Sequence, residues 1–424
     1  MTTGTFEDDA CRCERTAGRA ACPGVSAGDL ELGLSAEDAA VRDTARRFAA
    51  EVLRPAGRAL DRLVDPAAVI AGDSELWRVL DAYRELGIAR LYQDSEMEPV
   101  AKARLIAIVN EELAWGDVGL AIATGLCSFH GPWVRQTGDR ELIERFCDPE
   151  ELTIGCWALT EPDHGSDAVM LSEPHFRDPA LRPNCVAVKD GGDYVIRGQK
   201  AAWVSNGSIA DLAVLFCTVA RDQGFAGGGA FCVPLDLPGV ERGRPLDKLG
   251  QRSLNQGEIF FHDVRVPASY MAVGPEAYPM ALEAMLGYAN SGMAQLFVGL
   301  ARAALDHGVA YAKERVQGGR PIFEHQSVRS RLFQMFMRLE AARALARRVA
   351  AFNAVNLPQV QHAIAAKVFC TTTAFEVASA AVQIYGGNGL SREYPVEKLL
   401  RDARASMIED GCNEVLGLIA ATKL

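Results

Sequence analysis

Apolar residues recur at helical spacing through the first third of the chain. Ser35 is suited to cap a helix, and Asp38 follows it three residues later. The apolar positions after this cap are Val41, Ala45, Phe48 and Val52. Similar patterns occupy residues 75–86, 100–115 and 140–146. The first third is therefore predicted to be mostly α-helical.

The middle third changes to the shorter period of β-strands. Residues 185–189 and 194–196 flank Asp190-Gly191-Gly192-Asp193, which predicts a hairpin because glycines readily adopt the positive φ of tight turns. Further strand-like runs cover residues 212–219, 230–235 and 258–266, separated by Gly and Pro clusters. A small β domain is expected here.

Helical periodicity returns after Pro267 and continues to the end. Long helices are predicted over residues 279–315, 328–353, 358–385 and 395–424. Helices of this length indicate a bundle. The predicted class is α+β, mainly α. The predicted domains are a loosely ordered extension (1–34), a helical domain (35–152), a β domain (153–274) and a helical bundle (275–424).

Composition narrows the functional classes. A chain of 424 residues is too long to fold around one ordinary hydrophobic core, so two or three packed domains are expected. Its content of 49% hydrophobic and 23% charged residues is typical of a globular protein. A net charge of -11 argues against nucleic-acid or anionic membrane partners, although a local basic patch could still meet a phosphorylated carrier. The chain lacks an apolar run of about 18 residues and a secretory-type start, so a cytoplasmic location is expected.

The cysteines do not form a recognisable framework. Their number, eleven, is odd, and they are scattered along the chain, as in a reducing compartment. Cys11, Cys13 and Cys22 cluster near the start, but no second pair at metal-ligand spacing follows. We expect no metal site and interpret the cluster as part of a mobile tail.

Several segments combine turn residues with reactive side chains. Thr160-Glu161-Pro162-Asp163-His164-Gly165-Ser166-Asp167 lies where helices give way to strands, and its composition alone favours an ordinary capped turn. Gly198-Gln199-Lys200-Ala201-Ala202-Trp203-Val204-Ser205-Asn206-Gly207 follows, although a single Trp is more often a core residue. Residues 314–326 include Arg315, Arg320 and Gln326.

The last third contains three more segments. In Gln383-Ile384-Tyr385-Gly386-Gly387-Asn388-Gly389, glycines allow backbone N–H groups to approach phosphates, and a helix C-cap also explains them. Glu393-Tyr394-Pro395-Val396-Glu397-Lys398 follows shortly. Ile408-Glu409-Asp410-Gly411-Cys412-Asn413-Glu414 contains two adjacent carboxylates, Glu409 and Asp410, which could equally be exposed acids at a helix start.

Together these segments resemble the acyl-CoA dehydrogenase family from about Ser35 to the last residue. The resemblance implies an N-terminal helical domain, a central β domain and a C-terminal four-helix bundle that bind FAD non-covalently. It also implies a homodimer or homotetramer. The implied FAD-binding residues are Trp157, Leu159, Thr160, Ser166, Trp203, Ser205, Arg315, Gln326, Gln383, Gly386, Gly387, Cys412 and Glu414. The implied substrate-binding residues are Ser166, Tyr288, Asn290 and Gly411.

This sequence departs from the family pattern at three places. It has one residue more between Lys200 and Trp203, which a β-bulge could absorb. Gln317-Gly318 replaces the usual residues of the adenine-binding turn. The usual catalytic Glu is matched by Asp410, with Glu409 beside it, and residues 286–291 offer no carboxylate as a substitute. The shorter Asp matters because misplacement by about 1 Å can cost about 100-fold in rate.

The implied reaction is α,β-dehydrogenation of an acyl thioester, carried on CoA or on an acyl carrier protein. A carboxylate removes the α-proton and hydride passes to flavin N5. Asp410 is the preferred base, and Glu409 remains the alternative. An electron acceptor such as an electron-transfer flavoprotein is implied as a partner. A flavin-dependent monooxygenase on the same fold, or a flavoprotein that only binds, are the other functions considered.

Overall fold

The computed structural model describes residues 34–93, 96–148 and 150–424. The cluster of Cys11, Cys13 and Cys22 lies outside the described residues. The described N-terminal helices are α1 Ala36–Phe48, α2 Arg54–Asp61, α3 Glu75–Leu86, α4 Ile88–Gln93, α5 Pro99–Gly116, α6 Val118–Thr137 and α7 Arg140–Phe146. A π-helical turn, Ala49–Leu53, joins α1 to α2. Ser35 caps α1 together with Asp38, as predicted.

The middle of the chain forms one mixed sheet. Its strands are β1 Gly155–Ala158, β2 Val186–Asp190, β3 Asp193–Ser205, β4 Leu212–Thr218, β5 Gly228–Pro234, β6 Val240–Arg242, β7 Gln256–Pro267 and β8 Met271–Val273. Their order is β6-β7-β3-β2-β4-β5-β8, and β1 pairs with β4 in parallel. The predicted β2–β3 hairpin is confirmed, because Asp190 pairs with Asp193 across the turn.

The C-terminal part is a helical bundle. It comprises α8 Tyr278–Glu314, a ribbon of β9 Val316–Gln317 and β10 Arg320–Pro321, α9 Gln326–Val355, α10 Val360–Tyr385, α11 Val396–Ser406 and α12 Asn413–Ala421. The single helix predicted over residues 395–424 is wrong, because residues 407–412 interrupt it with a turn. The predicted α+β, mainly α class is confirmed.

Buried ion pairs connect the N-terminal helices to this bundle. On α5, Glu111 and Glu112 contact Arg302 of α8 at 3.0 and 2.6 Å. Arg343 of α9 also contacts Glu111, at 2.9 Å. Charges buried this deeply require partners, so the pairs fix α5 against α8 and α9. Across the described ranges, we find no helix with the length and apolar character needed to cross a bilayer.

Candidate active site

Asp410 lies in the turn between α11 and α12. Two consecutive residues there have positive φ, 53° at Asp410 and 95° at Gly411. Glycine adopts this backbone conformation easily, and aspartate is among the few other residues that tolerate it. Both residues lie beyond the end of α11 at Ser406, so Glu409 and Asp410 project from a turn rather than from one continuous helix.

The two carboxylates differ in their hydrogen bonds. Both side chains are half-buried, so the reading of two exposed acids at a helix start does not describe them. Gln251 Nε2 donates to Glu409 Oε1 at 2.6 Å. Within the described ranges the Asp410 carboxylate accepts no hydrogen bond. Glu409 is therefore held in place, while Asp410 remains available to accept a proton.

Burial and mutual repulsion disfavour the charged forms of this pair. Burial, and then the charge of Asp410, raise the pKa of Glu409 to about 7 against the opposing effects of Gln251, Lys367 and Lys248. Burial also raises the pKa of Asp410, and Lys367 opposes that shift. The charge on one of two adjacent acids makes ionisation of the other less favourable.

We expect Glu409→Gln to gain stability over the wild type as pH rises. Between pH 4.5 and about 7 the folded state keeps a proton that the unfolded state has lost, so ionisation weakens the wild-type fold in that window. The variant has no Glu409 carboxylate to ionise. Its free energy of unfolding relative to that of the wild type should therefore increase by about 1–3 kcal/mol across this window. Urea denaturation at about pH 5 and about pH 8 measures it. An equal difference at both pH values would contradict the raised pKa.

Ser166 connects the turn after β1 to the Asp410 turn. The backbone N–H of Cys412 donates to Ser166 Oγ at 3.1 Å, across 246 residues of sequence. His164 and Asp167 stabilise the Ser166 turn through a 2.8 Å contact between Nδ1 and Oδ2. The structure thus brings together Ser166, Gly411 and Cys412, three residues predicted for one site.

A buried ion pair fixes the segment that contains Leu159 and Thr160. Lys200 Nζ contacts Glu161 Oε1 at 2.6 Å, and both side chains are almost fully buried. The same ammonium donates to Leu159 O at 3.0 Å, and Ala201 N donates to Thr160 O at 2.9 Å. These contacts attach the predicted flavin segment to β3.

Three further predicted residues lie on the strands near this attachment: Trp157 on β1, and Trp203 and Ser205 on β3. The Trp157 ring stacks on Phe129 with centroids 5.9 Å apart, and its buried Nε1 has no hydrogen-bond partner among the described residues. Trp203 is 60% exposed and lies in a bulge, where Lys200 to Val204 on β3 oppose only Ile259 to Gly257 on β7. The extra residue anticipated before Trp203 therefore falls in a register irregularity.

Three residues that the sequence did not suggest link β3 to the acid pair. Gln256 Nε2 donates to Ser205 Oγ at 3.0 Å and to Trp203 O at 3.3 Å. Lys248 Nζ donates to Gln256 Oε1 at 2.8 Å, and Gln251 in the same loop holds Glu409. Gln251 is only 1% exposed and has φ of 49°. A positive φ at a non-glycine residue is strained, and such strain is concentrated at functional sites.

The two α8 residues predicted to bind substrate have opposite environments. Tyr288 is 55% exposed, whereas Asn290 is fully buried, with Nδ2 donating to Leu286 O at 2.9 Å. Each residue of an α-helix rotates by about 100°, so side chains two positions apart lie on nearly opposite faces. At most one of the two side chains can therefore face a given cleft.

The remaining predicted cofactor residues lie on the surface of the isolated chain. Arg315 ends α8, Gln326 begins α9 and Gln383 is close to the end of α10, and all three are exposed. Also exposed are Gly386, Gly387 and Glu414. Gly386 has φ of 60° and ψ of -136°, a conformation that only glycine adopts readily. No hydrogen bond joins these surface positions to the Asp410 turn within the described chain.

Comparisons with known proteins identify the family of the chain. Residues 156–264 match the family model of the acyl-CoA dehydrogenase middle domain, and residues 280–424 match the model of the C-terminal domain. The probable acyl-CoA dehydrogenase YngJ of Bacillus subtilis is 30% identical over 404 residues, covering 93% of this chain and 100% of the relative. A second Bacillus subtilis acyl-CoA dehydrogenase is 39% identical over 272 residues, covering 64% of this chain and 68% of the relative.

The fold is also similar to that of solved members. The butyryl-CoA dehydrogenase of Megasphaera elsdenii superposes with a TM-score of 0.80 at 30% identity, covering 93% of this chain and 99% of that structure. The family models, the full-length relative and the shared fold lead to one conclusion. The chain belongs to the acyl-CoA dehydrogenase family of oxidoreductases.

Proposed function

We propose that the protein catalyses FAD-dependent α,β-dehydrogenation of an acyl thioester, with Asp410 as the base. The observation that carries the proposal is the state of Asp410: a half-buried carboxylate without a hydrogen bond among the described residues, in a turn bonded to the Ser166 segment. The alternative base, Glu409, is occupied by Gln251 at 2.6 Å. A base must be free to receive the proton it removes, which favours Asp410.

The backbone of the same turn supports stabilisation of the enolate. The N–H groups of Asp410 and Gly411 donate no hydrogen bond to any described residue, whereas Cys412 N is already bonded to Ser166. Free backbone donors beside a base are suited to the oxygen of a thioester whose α-proton is leaving. In this proposal Asp410 takes the α-proton while its own N–H group binds the thioester oxygen.

Several groups fit the flavin that the family implies. The unpaired Nε1 of Trp157 and the Ser166 hydroxyl are polar groups beside the segment of Leu159 and Thr160. When bound, FAD would accept the hydride from the β-carbon while Asp410 takes the α-proton, so that the substrate loses two protons and two electrons in all. The exposed Arg315 and Gly386-Gly387 would hold the diphosphate, with Gln326, Gln383 and Glu414 nearby in a homodimer or homotetramer.

The substrate is proposed to be carried on CoA or on an acyl carrier protein, and an electron-transfer flavoprotein is the proposed electron acceptor. Because the Megasphaera elsdenii relative is a butyryl-CoA dehydrogenase, a short acyl-CoA is the first substrate to examine. Carrier-linked acyl groups complete the panel. The identity of the thioester carrier then follows from which members are oxidised.

We expect the purified protein to be yellow and to lose its flavin colour anaerobically with a suitable acyl thioester. The test is anaerobic mixing with acyl-CoAs and acyl-carrier conjugates, followed by mass spectrometry for an enoyl product lacking two hydrogens. A non-oxidisable thioester that has no β-hydrogen serves as the matched control. Failure of every panel member to reduce bound flavin would overturn the proposal. Oxygen uptake with an external flavin reductase, above that of the reductase alone, would instead select the monooxygenase.

A further inference from the structure

A lysine is buried directly behind the Asp410 turn. Lys367 lies on α10 and is fully buried, in a stretch whose neighbours Ile364 and Cys370 are also buried. Its Nζ donates to Gly411 O at 2.8 Å and to Asn413 Oδ1 at 2.9 Å. The ammonium therefore contacts both ends of the segment that follows the proposed base.

These contacts act on the strained part of the turn. Gly411 has φ of 95° and follows Asp410, which also has positive φ. A charged donor on the Gly411 carbonyl stabilises this backbone conformation more than a neutral donor does. Asn413 is fixed in turn by Thr371, whose Oγ1 accepts from Asn413 Nδ2 at 3.1 Å. The lysine and threonine, one helical turn apart, hold the start of α12.

Among the described residues, the Lys367 ammonium is also the positive charge that opposes the raised pKa of Asp410. Burial lowers the pKa of Lys367 to about 8, and Asp410 and Glu409 oppose that shift most strongly, so the group stays protonated at neutral pH. Lys248, from the loop before β7, acts on Glu409. The other titratable groups that face Lys367 are Cys412 in the turn and Glu414 on α12.

We infer that Lys367 is a positioning residue for the base: it holds the Gly411 backbone, and its positive charge favours the ionised form of the Asp410 carboxylate. The inference rests on the proposed function. A purely structural lysine would be a costly choice here, because an amide could donate to the same two oxygens without burying a charge. A buried positive charge is explained if Asp410 must be ionised before it removes the α-proton, because a nearby cation favours the ionised carboxylate.

The test is the pH dependence of anaerobic flavin reduction in Lys367→Met. Loss of the positive charge should move the acidic limb of the rate profile to higher pH by about one unit. The rate below the wild-type midpoint should then fall about tenfold beyond any uniform loss. Lys367→Gln, which keeps amide donors, should show the same shift and serves if the methionine variant does not fold. Bound flavin and the thermal unfolding midpoint are measured in parallel.

Thr371→Val is the matched control. It removes a hydrogen bond from the same network and leaves the charge, so it should lower the rate at all pH values without moving the limb. An unmoved limb in both lysine variants, with flavin bound, overturns the inference. If the wild type itself is not reduced by any thioester, the proposed function fails instead, and the two failures are distinguishable.

Discussion

Asp410→Asn is expected to retain bound flavin and to lose anaerobic flavin reduction by on the order of 10²- to 10⁴-fold, the usual effect of removing a general base. The amide cannot take the α-proton. Its size and its tolerance of positive φ match those of aspartate, so the turn at φ of 53° should persist. Stopped-flow absorbance of the flavin, with the best acyl thioester of the panel, measures the rate.

Flavin content decides how a loss of rate in this variant is interpreted. The Asp410 carboxylate forms no hydrogen bond with the described residues, so the substitution breaks none of the contacts that hold Ser166 or Gly411. If the Asp410→Asn protein folds, binds flavin and is reduced at the wild-type rate, Asp410 has no part in the mechanism.

Lys200→Met is expected to destabilise the protein by about 3–5 kcal/mol, because it leaves a buried carboxylate without its cation. Glu161 also accepts from the backbone N–H groups of Asn184 and Cys185, so it cannot turn away without breaking further bonds. The variant should also bind FAD more weakly, since Lys200 holds the Leu159 carbonyl. Urea denaturation with and without added FAD measures both effects.

An exposed ion pair provides the control for this prediction. Arg140 contacts Glu144 at 2.6 Å, with 90% and 64% of the two side chains exposed. Arg140→Met should leave stability and flavin affinity almost unchanged, because exposed pairs contribute little. Similar losses in Arg140→Met and Lys200→Met would show that burial of the Lys200–Glu161 pair is not the cause.

The pattern of apolar positions predicted most elements of the fold, and the helix boundaries were most accurate where the structure has clear caps. Helix α3 was predicted from its apolar spacing with its observed ends, Glu75 and Leu86. The structure shows that Ser74 caps its start and that Gly87, at φ of 69°, ends it. In contrast, no element was predicted over α6, which contains Pro132 and several glycines. Tertiary packing selects the residues of this helix: a Cβ on Gly119 would lie 2.4 Å from Ser253 Oγ, so a glycine is required there.

Site residues were predictable where short motifs contain them and hidden where contacts span the chain. The segments around Thr160 and Asp410 identified Ser166 and Cys412, which the structure joins. Gln251 reaches Glu409 across 158 residues, and Lys367 reaches Gly411 across 44, so neither contact has a local signature. A lone lysine among the apolar residues 363–370 was the only available sign of Lys367.

The central claim is that Asp410, and not the adjacent Glu409, removes the α-proton. The most direct measurement is the anaerobic rate of flavin reduction in Asp410→Asn and Glu409→Gln beside the wild type, with one thioester at one pH and with equal bound flavin. We predict that Asp410→Asn loses reduction while Glu409→Gln keeps most of the wild-type rate. The reverse order, with Glu409→Gln inactive and Asp410→Asn reduced normally, would contradict the account.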